Sequence, residues 1–374
     1  MADRKITRRE FVKESALAAG GLALGASALR AAEVDTKKIL NYNPDMEYRP
    51  CPKMGLMISA VAMGGHWKRI ETALPPGSGG NAIFGANLGN ADFQKNRRDV
   101  LTRCMERGIN WIDACTIDEV KAYTKALQGR RDKMYLGCSW YEREMRNDKC
   151  RTQKALLETL DWGMKDAGLE YVDLWRITMH EQSIQHTDPE VEEMMKALEA
   201  AKKSGKVRFG GFSSHHREHI RGMIEKYPSI IDGFSTPYTA KTKELPKESL
   251  FETVRKSGVA LFGIKPFASN SLFKGDSSLD SLDGVEDGKQ ARMAIREEDD
   301  KRARLTIRYI LCNTAVQAPI PGLINTHQVD NVADAVKERR QLDQAEKAEL
   351  DKAMDEAWAK LDDHHQFLKD WEYV

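Results

Sequence analysis

Eight short apolar runs recur along this chain of 374 residues, and segments with helical periodicity separate them. The runs lie at 58–64, 109–112, 134–138, 171–177, 207–212, 230–235, 259–264 and 315–320. Because they are short and lack the polar–apolar alternation of antiparallel strands, they predict the buried strands of a parallel sheet. Eight strand–helix units within about 300 residues favour a closed (β/α)8 barrel, the TIM barrel, as the α/β fold. The alternative is a doubly wound open sheet, although no Gly-x-Gly-x-x-Gly turn follows the first run.

Two further elements flank the predicted barrel. The segment MEYRPCPKMGLMIS predicts an N-terminal hairpin with its turn at Lys53–Gly55. The charged stretch 341–374 predicts an extra C-terminal helix whose charges face solvent. Two long loops, 66–92 and 274–298, follow the first and seventh strands. Since such barrels carry their active sites at the C-terminal ends of the strands, we expect both loops to border a functional site.

The first 32 residues have the pattern of an export signal. TRREFVK matches the twin-arginine pattern S/T-R-R-x-F-x-K, and an Ala/Gly-rich apolar run follows from Ala16 to Leu29. A retained membrane anchor is the alternative, but this run is shorter than the roughly 20 residues of a membrane span. We therefore expect export to the periplasm by the Tat machinery, without stable membrane association once the signal is removed. Residues 33–374 are then a single barrel domain.

Charge and cysteine content exclude some classes of function. Lys and Arg number 58 and Asp and Glu number 57, so the net charge is +1. This balance gives no electrostatic reason to expect nucleic acid or an anionic membrane surface as a partner. The six cysteines are scattered and contain no Cys-x-x-Cys pair, which argues against a cysteine-bound metal cluster. We expect mostly buried free thiols.

The C-terminal ends of the predicted strands carry a set of polar residues. In chain order these positions hold Gly64–Trp67, Asp113 with Cys115, Cys138–Trp140, Thr178 with His180, Ser213–His215, Thr236–Tyr238, Lys265–Phe267 and Pro321–Gly322. Taken singly, each has a structural explanation: Asp113 and His215 could cap the helices that follow them, and Lys265 could neutralise an acidic loop. Together, a carboxylate, three histidines and a lysine on one rim predict a functional mouth.

The last strand–helix unit predicts an anion site. In PIPGLINTHQVDN, the strand leads through Gly322 to a helix that Asn325 or Thr326 can cap. Backbone N–H groups at a helix start favour an anion, and the loops after strands seven and eight of such barrels often bind phosphate. A dinucleotide pyrophosphate or a phosphorylated ligand would fit there. The alternative is an ordinary helix cap without a ligand.

Several segments resemble the aldo-keto reductase family. They are, in the family's order, YRPCPKMGLMISAVAMGGHW, GINWIDAC, GKVRFGGFSSHH, GVALFGIKPF and AVQAPIPGLINTHQVDNV, and the likeness covers most of residues 47–340. The resemblance implies a (β/α)8 barrel that binds NAD(P)H across its mouth and reduces aldehydes or ketones. The family's chemistry uses a tyrosine as proton donor, a lysine and an aspartate behind it, and a histidine that orients the carbonyl.

Only the aspartate of that catalytic set has a direct counterpart, Asp113. The tyrosine position, five residues later, holds Asp118, and the lysine position holds Ser139. The histidine position holds Thr178, with His180 two residues on. The resemblance therefore predicts a rebuilt acid–base site with Asp113, His180 and Asp118 as its catalytic residues.

The cofactor positions that the resemblance implies are partly kept. They hold Ser213, Ser214, Lys265, Phe267, Gly322, Asn325 and Gln328. Ser213 matches the serine that reaches the nicotinamide amide, while Ser214 replaces an asparagine. Gln328 replaces the cation that holds the 2′-phosphate of NADP, so NAD(P) is predicted as cofactor without a preference for NADP. No metal ligands are assigned.

These observations predict an exported aldo-keto reductase-like NAD(P)-dependent oxidoreductase that acts on a small carbonyl or alcohol substrate. General acid catalysis supplies about 10²–10⁴-fold, so Tyr141 or a water molecule is an alternative donor for the missing tyrosine. Two other hypotheses stay open. One is a catalytically inactive ligand-binding barrel in which Asp113 only caps its helix. The other is a metal-dependent site that uses His66, Asp113, His180 or His215.

Overall fold

The computed structural model describes residues 35–67, 70–75, 77–81, 85–244, 249–275 and 289–371. The predicted export signal and most of the predicted loop 274–298 lie outside this part of the chain. Among the described residues, no helix is long and apolar enough to cross a membrane.

The strands of the described residues form a hairpin, a barrel and a small ribbon. They are β1 (Tyr48–Cys51), β2 (Leu56–Ser59), β3 (Met63–Gly64), β4 (Gly80–Asn81), β5 (Gly85–Ala86), β6 (Trp111–Ala114), β7 (Tyr135–Cys138), β8 (Val172–Thr178), β9 (Val207–Ser213), β10 (Gly233–Pro237), β11 (Ala260–Ile264) and β12 (Val316–Ile320). The antiparallel pair β1–β2 is the predicted N-terminal hairpin. The run predicted as the first barrel strand, 58–64, is divided, because its first part pairs with β1 and only β3 joins the barrel.

The barrel consists of β3 and β6 to β12, parallel and hydrogen-bonded in chain order. It closes where the Gly64 N–H donates to the Pro321 carbonyl at 2.8 Å and the Ala62 N–H donates to the Pro319 carbonyl at 3.1 Å. The predicted TIM barrel is therefore confirmed, and an open doubly wound sheet is excluded.

Helices surround the barrel between its strands. They are α1 (Ala91–Glu106), α2 (Ile117–Ala126), α3 (Gln153–Ala167), α4 (Asp188–Lys203), α5 (Arg217–Lys226), α6 (Leu250–Ser257), α7 (Lys289–Leu311), α8 (Thr326–Lys337) and α9 (Gln344–Ala359). The predicted extra C-terminal helix is α9, which Asp343 caps. It covers only part of the charged stretch, because the chain continues as a 3₁₀ helix, Asp363–Trp371.

The interior of the barrel is packed at the N-terminal ends of its strands. Trp111 and Phe262 stack there with ring centroids 4.4 Å apart, and Leu174 belongs to the same buried cluster. Met54, from the turn of the hairpin, joins this cluster and so closes the floor. Because side chains alternate along a strand, the inward positions that follow Trp111 and Leu174 are Asp113 and Arg176. The interior thus changes from apolar to charged toward the C-terminal end.

Candidate active site

A cavity of about 260 Å³ opens at the C-terminal ends of the barrel strands. Loops after β3, β6, β7, β8, β9, β11 and β12 contribute to its wall, as does the C-terminal 3₁₀ helix. Five of the predicted site residues line it: Asp113, Ser213, Lys265, Phe267 and Gly322. The predicted mouth is therefore concave, as small-molecule sites usually are, and its function stays a prediction.

Asp113 is held by one arginine from a neighbouring part of the barrel. Arg176 Nε donates to Asp113 Oδ2 at 2.9 Å, and Arg176 Nη2 donates to Oδ1 at 2.6 Å. Both side chains are buried: Arg176 is 4% exposed and Asp113 is 6% exposed. A two-point contact of this kind fixes both groups more firmly than a single ion pair. Asp113 is not a helix cap, since Thr116 caps α2.

Burial and the ion pair act in opposite directions on these two groups. Burial raises the pKa of the Asp113 carboxyl, and Arg176 offsets only part of that rise. Burial also works against the charge of Arg176, but the Asp113 carboxylate outweighs it and keeps the pKa of Arg176 above its ordinary value. Arg176 therefore brings a permanent positive charge to the cavity wall. Sequence reasoning missed this residue, although an arginine within the apolar run YVDLWRIT was a visible signal.

His66, Cys115 and Glu119 lie together at the rim of the same cavity. Cys115 Sγ is 3.5 Å from His66 Nε2, while His66 Nδ1 is hydrogen-bonded to Glu119 Oε1. The Glu119 carboxylate also accepts hydrogen bonds from the backbone N–H of Cys115 at 2.8 Å and of His66. Cys115 Sγ is also 3.9 Å from His66 Nδ1, so the sulfur lies against the imidazole near both ring nitrogens.

Local backbone geometry explains how these three side chains meet. Glu119 is the third residue of α2, and Thr116 and Glu119 form a capping box that turns the Glu119 carboxylate back toward the helix start. A side chain on Gly65 would lie 2.3 Å from that carboxylate, so only glycine leaves room for it. His66 has a φ of 55°, in the left-handed region that non-glycine residues seldom occupy.

The charges of this cluster depend on one another. Burial acts to lower the pKa of His66, but Cys115 and Glu119 outweigh it and hold that pKa well above the usual range. Burial raises the pKa of the Cys115 thiol, and His66 acts against this rise. For Glu119, burial is outweighed by His66 and by backbone N–H donors, so the pKa of its carboxyl is lowered. Glu119 is therefore an anion that attracts a proton to His66.

The same three residues have atoms that could bind a metal ion, because their ligand atoms lie within 4.8 Å of one another. However, both Glu119 oxygens are already engaged. Oε1 accepts from the His66 backbone and ring, and Oε2 accepts from the N–H groups of Cys115 and Thr116, the latter at 3.3 Å. A carboxylate has about four acceptor positions. His66 Nε2 and Cys115 Sγ alone are fewer ligands than zinc sites use.

Tyr141 forms a second polar group in the cavity wall. Arg146 Nη1 donates to the Tyr141 hydroxyl at 2.9 Å, and the Arg146 guanidinium lies 4.6 Å from the centre of the Tyr141 ring. Arg146 is fixed in turn by Glu181 at 2.5 Å. Among the described residues that line the cavity, Tyr141 is the one tyrosine. A phenol and a guanidinium thus lie side by side in the cavity wall.

The positions at the ends of β7 and β8 form a buried polar support. The Thr178 hydroxyl donates to the Ser139 hydroxyl at 2.9 Å, and the Thr178 N–H donates to Glu144 at 2.6 Å. The Trp175 indole N–H donates to the other Glu144 oxygen at 2.9 Å. Burial raises the pKa of Glu144 to about 7. Thr178 lines the cavity, and Ser139, Glu144 and Trp175 lie behind it and fix the strand ends.

The structure places two of the three predicted catalytic residues away from the cavity lining. The Asp118 carboxylate accepts a hydrogen bond from the Ala86 N–H at 3.1 Å, because the start of α2 faces the β4–β5 ribbon. His180 Nδ1 accepts from the Gln182 N–H at 3.1 Å, and its ring is turned toward its own loop. His215, after β9, lines the cavity, whereas His180 does not. His215 is not a helix cap either, since His216 caps α5.

The predicted cofactor residues fall into two groups. Ser213, Lys265, Phe267 and Gly322 line the cavity. Ser214 does not, because its hydroxyl donates to Ser183 at 2.6 Å in the buried layer behind.

The helix start at which an anion site was predicted is present, and anion binding there stays a prediction. Asn325 caps α8, its side chain accepting from the Gln328 N–H at 2.8 Å, so Asn325 and not Thr326 is the cap. The Gln328 side chain accepts from the Ile324 N–H at 3.0 Å. Beside it, Arg296 Nε donates to His327 at 3.3 Å. Asn325 and Gln328 thus shape the loop after Gly322 and lie beyond the cavity lining.

The C-terminal 3₁₀ helix closes one side of the cavity. His364, His365 and Phe367 line it. The Phe367 ring stacks on His215 with centroids 5.3 Å apart, and Lys265 Nζ lies 5.6 Å from the centre of the same ring. Burial, together with Lys265 and Arg146, lowers the pKa of His215 well below its usual range. The cavity therefore holds a neutral imidazole there, and sequence reasoning missed this part of the wall.

Comparison with known proteins gives a consistent family. The model of the aldo/keto reductase family matches residues 77–355. The chain is 26% identical over 246 residues to the L-glyceraldehyde 3-phosphate reductase of Escherichia coli K12, covering 61% of this chain and 63% of that protein. It is 23% identical over 190 residues to an uncharacterized oxidoreductase of Schizosaccharomyces pombe, covering 50% of this chain and 54% of that protein. The chain thus spans less than two thirds of the length of these relatives.

Solved structures share the barrel. An aldo-keto reductase of Bacillus halodurans in its holo form superposes with a TM-score of 0.56 at 21% identity, over 86% of this chain and 99% of that one. An aldo/keto reductase of Klebsiella pneumoniae, in complex with NADP and acetate, gives a TM-score of 0.53 at 14% identity, over 80% and 92%. At these identities the likeness shows the fold.

Proposed function

The chain belongs to the aldo/keto reductase family, and we propose that it is an NAD(P)-dependent oxidoreductase acting on a carbonyl or alcohol substrate with a rebuilt acid–base site. The observation that carries this proposal is Tyr141, which lies in the cavity wall with its hydroxyl 2.9 Å from Arg146. The family position for the tyrosine holds Asp118 instead, and the lysine position holds Ser139. A phenol and a cation are therefore both present in the cavity, and both come from the loop after β7.

The donor groups of the mouth fit a nicotinamide dinucleotide. The Ser213 hydroxyl, Lys265, and the backbone around Gly322 can hold the amide and ribose of a nicotinamide end. The start of α8 offers backbone N–H groups to phosphates. When bound, the dinucleotide supplies the hydride that a carbonyl carbon accepts, or accepts it in the reverse direction.

Tyr141 would supply the proton that carbonyl reduction requires. As charge develops on the carbonyl oxygen, the Tyr141 hydroxyl donates its proton, and Arg146 stabilises the phenolate that remains. Glu181 keeps Arg146 in place. The neutral ring of His215 can orient the carbonyl in the same cavity. Arg176, paired with Asp113, keeps a positive potential in the wall that favours the developing oxyanion.

Titration with cofactor tests the part of the proposal that concerns binding of NAD(P). Titration with NADH and NADPH should quench protein fluorescence and shift the nicotinamide emission to the blue. Gln328→Arg, which restores a cation at the 2′-phosphate position, should tighten NADPH relative to NADH by about ten-fold, since one charged contact is worth about that. Gln344→Arg, at the exposed start of α9, is the matched control and should leave the ratio unchanged. No signal with either cofactor at millimolar concentration would exclude the proposal.

Substitution of Tyr141 tests the proposed role of its hydroxyl as the proton donor. Tyr141→Phe should lower the rate of carbonyl reduction by about 10²–10⁴-fold with little change in cofactor affinity, because it removes only the proton donor. Tyr42→Phe, at a residue 47% exposed, is the control and should leave the rate unchanged. An unaffected rate in Tyr141→Phe would remove Tyr141 from the proposal.

One observation favours the alternative of a barrel that binds a ligand without reducing it. Both oxygens of Asp113 accept hydrogen bonds from Arg176, so its partner is an arginine and not a group that donates a proton to a substrate. If the barrel only binds, Asp113→Asn should leave ligand binding intact, and no carbonyl should be reduced with either cofactor.

We further propose export by the twin-arginine route, on the support of TRREFVK alone. Arg8→Lys with Arg9→Lys should keep the protein in the cytoplasm when cell fractions are probed with an antibody. A matched substitution of Lys5 to Arg should leave export unchanged. Equal periplasmic amounts for all three chains would contradict the proposal.

A further inference from the structure

The cavity holds a sulfur, an imidazole and a carboxylate in a chain that the proposed carbonyl chemistry of Tyr141 does not use. Cys115 Sγ lies 3.5 Å from His66 Nε2, and the other ring nitrogen is bonded to Glu119. A nucleophile, a base within reach of it, and a third group that orients the base form the arrangement that activates a thiol. All three residues line the cavity.

The fold keeps this arrangement against local preferences. His66 is held in the left-handed region, with a φ of 55°. Backbone strain of this kind persists where the surroundings impose it, and it is concentrated at functional sites. The Glu119 carboxylate reaches the ring only because Gly65 has no side chain. Cys115 comes directly before Thr116, the cap of α2, where the helix dipole favours an anionic sulfur.

We infer that Cys115 is a nucleophile that captures an aldehyde substrate as a covalent thiohemiacetal, with His66 as its base and Glu119 as the positioning residue for His66. The inference rests on the proposed function for its substrate class, a carbonyl compound. An aldehyde is the more electrophilic and less hindered carbonyl, and therefore the better partner for a thiol. The addition needs no bound dinucleotide.

The addition is balanced without any further reagent. The sulfur attacks the carbonyl carbon as the thiolate of a Cys115–His66 ion pair, so the thiol proton is already on the imidazole. One C–S bond forms, the π electron pair of the C=O bond moves to oxygen, and the imidazolium returns the proton to that oxygen. Nothing is oxidised or reduced, and the adduct dissociates by the reverse steps.

The charged groups around the sulfur come from four elements. His66, after β3, and Arg176, of β8, favour the thiolate, whereas Glu119, of α2, opposes it. Asp113, of β6, faces the same cavity, but its negative charge is paired with the guanidinium of Arg176. Reactivity should therefore follow the protonation state of His66 and Cys115 together.

The test is alkylation of Cys115 by iodoacetamide in the full chain without cofactor. Cys150→Ser with Cys312→Ser removes the accessible thiols outside the cavity, and Cys51, Cys104 and Cys138 are buried internal controls. Peptide mass spectrometry should show Cys115 alkylated about ten-fold or more faster than the buried cysteines. Propanal should protect Cys115 reversibly, while acetone and 1-propanol at equal concentration should protect it much less.

Two variants separate chemical activation from simple exposure. His66→Asn keeps a residue that tolerates the left-handed conformation and should slow alkylation by about ten-fold. Glu119→Gln should shift the pH at which alkylation is half-maximal, which a merely structural role would not do. Thermal unfolding of both variants shows whether they are folded, and Cys115→Ser should abolish the propanal-dependent signal while remaining folded.

Three results would overturn the inference. One is a Cys115 rate equal to that of a free cysteine and unchanged in folded His66→Asn. Another is equal protection by propanal and 1-propanol. The third is a rate that rises on addition of EDTA, since the thiol would then be held by a metal ion. Because no dinucleotide is present, these outcomes are independent of the NADH titration that tests the proposed function.

Discussion

Two buried carboxylates of the barrel, Asp173 near the start of β8 and Asp113 at the mouth, are satisfied to different degrees. Asp173 accepts from Arg131 at 2.7 Å, from Arg208 at 2.8 Å and from the Leu136 N–H at 2.9 Å. Among the described residues, Asp113 forms an ion pair with Arg176 alone. For both groups burial acts to raise the pKa, but the two arginines reverse this effect at Asp173, whose pKa is lowered, while the pKa of Asp113 stays raised.

The different pairing of Asp173 and Asp113 matches the different roles of the two ends of the barrel. In barrels of this type the N-terminal end serves stability and the C-terminal end serves chemistry. The carboxylate near the strand starts has an excess of positive partners, so it is an anion under all ordinary conditions. The carboxylate at the mouth has one such partner among the described residues, and its pKa is raised, so it takes up a proton more readily than Asp173.

The largest expected effect is on stability, from Asp173→Asn. This change leaves Arg131 and Arg208 without their shared anion and should lower the free energy of unfolding by about 3–5 kcal/mol. Urea unfolding at neutral pH measures it. Asp161→Asn, which breaks the exposed pair with Lys206, is the control and should cost less than about 1 kcal/mol. Equal losses in the two variants would show that the buried ion pairs of Asp173 stabilise the fold no more than an exposed pair does.

A smaller loss is expected from Arg176→Met at the mouth. Asp113 is then buried without its cation, but its raised pKa lets it take up a proton, so the loss should be about 2–4 kcal/mol at neutral pH and less under acidic conditions. Arg176→Met with Asp113→Leu should recover most of the loss, because no uncompensated charge remains. A double variant as unstable as the single one would mean that the pair stabilises the barrel by itself.

The smallest expected effect is on how the free energy of unfolding depends on pH. Asp173 and Asp113 should contribute to this dependence with opposite signs. In the unfolded chain an aspartate has a pKa of about 3.9. The lowered pKa of Asp173 gives stability that is present above this value and is lost as the pH falls. The raised pKa of Asp113 acts oppositely, costing stability as the pH rises from that value toward its folded pKa. Each pKa unit corresponds to about 1.4 kcal/mol.

Unfolding of the wild type, Asp173→Asn and Asp113→Asn across the acidic range measures this contrast. The stability of the wild type relative to Asp173→Asn should increase with pH, and its stability relative to Asp113→Asn should decrease. Parallel curves for the two variants would show that both carboxylates have the same surroundings in solution.

Much of the fold could be predicted from the sequence, because buried parallel strands need only short local apolar runs. The eight runs, the hairpin and the end position of Asp113 all follow from such local patterns. Arg176 could not be placed, since whether a residue of YVDLWRIT faces the barrel interior depends on its register with the neighbouring strands. The position of Tyr141 in the cavity wall likewise depends on how the loop after β7 folds.

The cluster at the rim shows the limit of sequence reasoning more clearly. His66 and Cys115 are 49 residues apart, and no spacing rule connects them. Glu119 reads as an ordinary member of a capping box, which it also is. The resemblance directed attention to Asp118 and His180 by position in the chain, whereas the cavity is formed by Tyr141 and His215 through tertiary structure.

The C-terminal 3₁₀ helix, Asp363–Trp371, completes the cavity wall and is synthesised after all the barrel strands. During translation the N-terminal parts of a protein emerge first and can begin to fold. The barrel strands are complete once Ile320 has emerged, yet Phe367 still has to reach His215 before the wall is closed. The part of the wall that Phe367 forms against His215 therefore cannot be in place until a stretch well beyond the last barrel strand has been made.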